Sequence, residues 1–240
     1  MRIDAITDDG QYHAWTEINV PQRPFEIENV DTVTVPLAQS GYTTEYLRYR
    51  ITINDRPNET NYYRIVIDKQ TTLWGYNHEE GGDDYIYWTK HSYNFIGRED
   101  VVLTDGQPTT GDDEDNGLFD TAKNIYGVFD DTRFRNTSYT MTVYNNTKIE
   151  TGSDSGYFSG MDVIIRLMSI TETEYYYLKA LNLVDSDAYD ETINEPIKYP
   201  SNVHGGTGMV GISTEVTQTI HIISSSHSKG NLAPPVHVYQ

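Results

Sequence analysis

The chain has 240 residues, enough for one substantial core, and all-β sandwiches or barrels of this size commonly form a single domain. Lys and Arg total 17 against 36 Asp plus Glu, a formal net charge of −19 that repels phosphate backbones and anionic lipid surfaces, so nucleic acid and basic-patch membrane binding are excluded as leading readings. There is no cysteine, hence no disulfide framework and no thiolate nucleophile or metal ligand, and no apolar run approaches the length of a membrane span.

Twenty tyrosines against a hydrophobic fraction of 37% suit half-buried sheets whose outer faces carry Tyr and Thr. In chain order, the first strand candidate is 13–20. The clearest strand lies at 47–53, where Leu47, Tyr49, Ile51 and Ile53 share one face and Arg48, Arg50 and Thr52 the other. Residues 61–68 repeat the alternation after the turn-rich Asn54-Asp55-Arg56-Pro57-Asn58, which predicts an antiparallel hairpin between the two. Further strands are predicted at 85–91, 138–144, 162–169 and 215–223. Val163, Ile164, Ile165, Leu167 and Met168, interrupted only by Arg166, predict a central strand covered on both faces.

The period then changes. Thr171 with Glu174 three residues on is a capping-box pattern, and Tyr177, Leu178, Leu181 and Val184 recur at helical spacing, predicting one short helix over 172–185 that packs across the end or face of the sheet. The expected fold class is all-β, a mainly antiparallel sandwich or barrel-like form with that single α-helix. The expected organisation is one β-rich domain over 1–240, with 1–35 as the remnant of an N-terminal β-domain and 224–240 as a loose tail. Residues 108–117 also read as loose.

Several motifs invite chemistry. Gly206-Thr207-Gly208-Met209-Val210-Gly211 matches the dinucleotide fingerprint, but residues 212–223 read as a strand, whereas a pyrophosphate site needs a helix N-terminus, so the run is expected to be a glycine-rich turn. Asp112, Glu114, Asn116 and Gly117 occupy early positions of a calcium loop, but Lys123 stands where a bidentate carboxylate is required. A solvated acidic loop is the favoured reading, and a looser calcium site built from Asp112, Glu114, Asn116 and Asp120 the alternative. His78 beside Glu79 and Glu80 could ligate a metal but reads better as an exposed loop histidine. No G-x-S-x-G, no H-E-x-x-H and no histidine cluster occurs, so no cofactor and no enzyme activity is expected. Trp74, Tyr76, Tyr85, Tyr87 and Trp88 flank Gly81-Gly82 and could form an aromatic lip for a sugar ring or peptide. Cross-strand packing is the competing reading of the same residues.

Taken in order, Asn61-Tyr62-Tyr63-Arg64, then 127–134 (Gly-Val-Phe-Asp-Asp-Thr-Arg-Phe), then 175–181 (Tyr-Tyr-Tyr-Leu-Lys-Ala-Leu), then Glu195-Pro196 and Ser201-Asn202-Val203-His204-Gly205-Gly206-Thr207-Gly208 form a series of landmarks. The series resembles the Bacteroidetes outer-membrane lipoprotein family known as domain of unknown function 4249. The resemblance spans roughly residues 10 to 223. It implies a lipid-anchored, β-rich protein of the periplasm or cell surface, encoded near TonB-dependent receptors and serving uptake, with an outer-membrane receptor, a glycan or a peptide as partner. Family members begin with a signal peptide and a lipidated cysteine. This chain has no cysteine, so it is expected to be N-terminally trimmed, with membrane attachment only through an anchor it does not carry. The alternatives are a hydrolase of glycan or peptide polymers, and a purely structural envelope scaffold.

Overall fold

The computed structural model describes residues 1–39, 42–77, 84–93, 97, 100–106, 124–146, 157–185 and 197–222. Their strands are β1 (Arg2–Ile6), β2 (His13–Glu17), β3 (Asn29–Gln39), β4 (Tyr42–Asn54), β5 (Tyr62–Asn77), β6 (Asp84–Ser92), β7 (Val128–Asp130), β8 (Ser138–Asn146), β9 (Tyr157–Ser169) and β10 (Thr214–Ile222), with one helix, α1 (Glu172–Val184). Three antiparallel sheets result. β1 and β2 pair alone, β3-β4-β8 form a three-stranded sheet, and β10-β9-β5-β6 form a larger one in which β7 also pairs with β5.

The two larger sheets face each other across one core. Leu47, Tyr49, Ile51 and Ile53 of β4 and Met141 and Val143 of β8 meet Tyr63, Ile65 and Ile67 of β5 and Val163, Ile165 and Leu167 of β9. Each fully buried aliphatic side chain here contributes about 1.5–3 kcal/mol. The sheets stay open, so the fold is a sandwich and not a closed barrel.

One pairing expectation and one burial expectation are corrected. The alternation at 47–53 and 61–68 marks real strands, but they are not hairpin partners: β4 pairs with β3 and β8, while β5 pairs with β6, β7 and β9. The segment between them crosses from one sheet to the other. The buried Asp55 makes that crossing self-sufficient in hydrogen bonds, accepting from the Asn136 amide (2.8 Å), Asn61 Nδ2 (3.2 Å) and the Tyr63 hydroxyl (3.2 Å). β9 is central, between β10 and β5, but only one face is fully covered, because Asp162, Ile164, Arg166 and Met168 are half-buried.

α1 begins where its capping pattern places it, with the Thr171 side chain accepting the Glu174 amide at 3.2 Å. Its Tyr175 and Leu178 pack with Val128 and Ile170 into a second, smaller cluster, bordered by Tyr62 and Met168. The helix thus lies on the outward face of the large sheet at the β5–β7 end. Residues 1–35 hold the β1–β2 hairpin, the connecting segment 18–28 and the first part of β3. The stretches 108–117 and 224–240 lie outside the described residues.

Candidate functional site

The family-like landmarks among the described residues, far apart in sequence, converge around the start of β5, while Glu195 and Pro196 lie outside the described residues. The Tyr63 ring stacks on Phe129 (5.4 Å) and lies 6.4 Å from Phe134, while Tyr62 packs against Tyr175 (5.0 Å) and Tyr176 (6.3 Å). Beneath them, the fully buried Asp131 accepts from the Asn61 amide (2.8 Å), Asn61 Nδ2 (3.2 Å) and the Arg135 guanidinium (3.0 Å). A buried carboxylate is tolerated only with such partners, so this network fixes the loop before β5.

The glycine-rich run joins the same region. His204 exchanges both backbone hydrogen bonds with Trp15 of β2 (3.0 and 2.8 Å), and the two rings stack at 4.1 Å with the Arg2 guanidinium 4.4 Å over Trp15. Arg2 and then His13 hold the Asp4 carboxyl down at about 2. Gly205 has φ +77°, and a Cβ there would run into the His13 carbonyl. Asn202 closes the turn by bonding both backbone groups of Val210 (2.9 Å each). A Cβ on Gly211 would sit 2.8 Å from the Glu174 carboxylate, whose proton affinity is raised by burial and partly restrained by Arg64. No helix follows the run; β10 does.

These contacts leave an open cleft of about 470 Å³ between the hairpin, the start of β5 and the first turn of α1. Its walls come from 17–22, 59–62, 169–173 and Asn202. Tyr62 forms an aromatic wall, and its hydroxyl donates to Glu172 Oε1 at 2.9 Å. Burial and then that carboxylate push the Tyr62 phenol well above its ordinary range. A second concavity is lined by Val102, Asp105, Asp130, Thr132 and Arg133. Its carboxylates are engaged, Asp105 by Lys179 and Asp130 by the Tyr175 hydroxyl at 3.3 Å.

The aromatic lip expected from the sequence lies at the other end of β5, twelve residues beyond Tyr62, or about 40 Å along the strand. The register sets Trp74 opposite Tyr87, Tyr76 opposite Tyr85 and Leu73 opposite Trp88. Tyr87 is exposed and Trp88 half-buried, and the alternation of β6 sends these two to opposite faces. Asp112, Glu114, Asn116, Asp120 and His78 lie outside the described residues. Sequence reasoning missed the cleft, except that its walls include Asn61, Tyr62 and Asn202 from the landmark series.

A search of curated proteins finds no match. A family model described as a domain of unknown function, DUF4249, matches residues 1–219. That is most of the chain, and it includes every strand that builds the sandwich core up to β10. The protein therefore belongs to the DUF4249 family.

Proposed function

We propose that this protein is a non-enzymatic binding or accessory protein of the cell envelope, serving TonB-dependent nutrient uptake, and that it holds its ligand in the cleft between the β1–β2 hairpin, β5 and α1. The observation that carries this reading is the cleft itself, about 470 Å³ with walls from four chain segments. Its surroundings are pre-organised by Asp131, Asp55 and Asn202, all of whose roles are to bind backbone or neighbouring side chains. Pre-organisation lowers the ordering cost of binding. The buried aspartates serve as acceptors for amides and phenols, which supports a scaffold for recognition over acid–base chemistry. The envelope setting rests on the family resemblance.

The test is a panel of oligosaccharides, peptides and purified TonB-dependent receptors, titrated against the native chain and a Gln22→Trp variant. Gln22 is exposed on the rim, so the new indole fills the cleft without disturbing the core. Binding that Gln22→Trp removes is the expected result. Binding that is indifferent to Gln22→Trp for every positive ligand rejects the cleft.

The hydrolase alternative has one observation in its favour, the pair Asp105 and Asp130 lining one concavity beside Arg133. It requires polymer cleavage that Asp130→Asn abolishes. Inactivity of the native chain across the same panel removes it.

A further inference from the structure

We infer that the cleft takes a neutral, hydroxyl-rich oligosaccharide. This deepens the binding reading above and rests on it.

Glu17, Glu59 and Glu172 line the cleft, and among its described lining residues there is no Lys, Arg or His. Carboxylates only accept, so the ligand must supply O–H or N–H donors. Phosphates, sulfates and uronates bring acceptors and negative charge to a wall of three carboxylates with two guanidiniums, Arg2 and Arg56, beside it, on a chain of net charge −19, and are disfavoured twice.

Cationic ligands are disfavoured for a different reason. Glu59 already lies 3.7 Å from Arg56, and Glu17 lies 3.9 Å from Arg2. Glu172 is left as the carboxylate without a basic partner among the described residues, and it is oriented by the Tyr62 hydroxyl through Oε1. One oriented carboxylate, with the other two each near a guanidinium, suits a pair of hydroxyls better than an extended basic segment.

The remaining wall matches hydroxyls in kind. Asn19 and Gln22 are exposed side chains that make no side-chain hydrogen bond among the described residues, and each carries both donors and an acceptor, as a hydroxyl does. Tyr62 adds an aromatic surface held in place by Tyr175, against which the C–H face of a sugar ring can pack. An oriented carboxylate, free amides and a fixed ring together specify a polyol with one apolar face.

The experiment is isothermal titration of the full chain with maltohexaose, xylohexaose, laminarihexaose and mannohexaose, with hexalysine and a hexagalacturonate as charged controls. Variants are Glu172→Ala, Asn19→Ala and Gln22→Trp, each checked for native folding by circular dichroism. The expected result is that at least one neutral hexasaccharide binds, that Glu172→Ala weakens it by about tenfold through loss of a charged acceptor, and that Gln22→Trp abolishes it. Hexalysine binding that Gln22→Trp abolishes, with the neutral sugars silent, overturns the oligosaccharide assignment while the cleft reading stands. Sugar binding unchanged in Gln22→Trp and Glu172→Ala overturns the assignment of that sugar to this cleft. Silence of all four neutral probes overturns the inference outright, and the cleft is then judged by the wider panel.

Discussion

Among the described residues, tyrosine hydroxyls donate to carboxylates at five places: Tyr62 to Glu172 (2.9 Å), Tyr63 to Asp55 (3.2 Å), Tyr126 to Asp185 (2.5 Å), Tyr139 to Asp100 (3.0 Å) and Tyr175 to Asp130 (3.3 Å). A strongly acidic chain with few Lys and Arg side chains thus satisfies part of its carboxylates, including the buried Asp55 and Asp100, with phenols. For Tyr62, Tyr63, Tyr139 and Tyr175 burial is the leading cause that raises the phenol above its ordinary value of 10.0, and for Tyr126 the bond to Asp185 is. A raised folded value favours the neutral phenol in the fold. The stability it contributes is therefore complete below pH of about 10 and is lost as pH rises through the folded values. Denaturation midpoints measured from neutral pH upward should stay level in this respect and then drop above about pH 10. A profile that stays level far beyond that point contradicts the pairing. Tyr49 differs from Tyr63 and Tyr175, the buried tyrosines named above. It is wholly buried, and its hydroxyl has no hydrogen-bond partner among the described residues. Tyr49→Phe should stabilise the protein by about 1 kcal/mol, because an unsatisfied buried hydroxyl is removed without loss of shape. Urea denaturation measures this, and a loss of stability would reveal a bound water or another partner.

At the scale of elements, the junction between the β1–β2 hairpin and the glycine-rich run positions one wall of the cleft. Gly205→Ala places a methyl group against the His13 carbonyl at φ +77°, so it should cost more than about 1 kcal/mol. It should also raise the exchange rates of the Trp15 and His204 amides, read by hydrogen–deuterium exchange, while the β9 amides stay protected. Uniform loss of protection would instead show that the hairpin and the sandwich open together. Elements differ in how far their own residues announce them. Leu47, Tyr49, Ile51 and Ile53 announce β4 because one of its faces is buried, and Thr171 with Glu174 announces α1 because capping is a local bond. β1 is exposed along its whole length and β7 has three residues, so neither leaves a periodicity to read. β4 pairs with β8, and not with β5, and the Asp55–Asn136 bond beside that pairing joins residues 81 apart, a contact no local pattern encodes. The cleft was illegible for a related reason: its walls come from segments as distant as residues 17 and 202.

For the whole molecule, a net charge of −19 sets a repulsion that each paired carboxylate relieves only locally. Added monovalent salt, by screening the unpaired surface carboxylates, should raise the thermal midpoint monotonically between low and physiological ionic strength. A falling midpoint would mean that exposed pairs such as Arg23 with Glu26 and Arg166 with Glu215 outweigh the general repulsion. Because five carboxylates among the described residues, the buried Asp55 and Asp100 included, receive phenol hydrogen bonds, the fold has an asymmetric chemical sensitivity. Acylating exposed lysines should leave most of these internal bonds intact. Nitrating tyrosines, which brings phenol ionisation into the neutral range, would turn each reached hydrogen bond into a like-charge contact, with the partly exposed Tyr62 and Tyr126 the first to be affected.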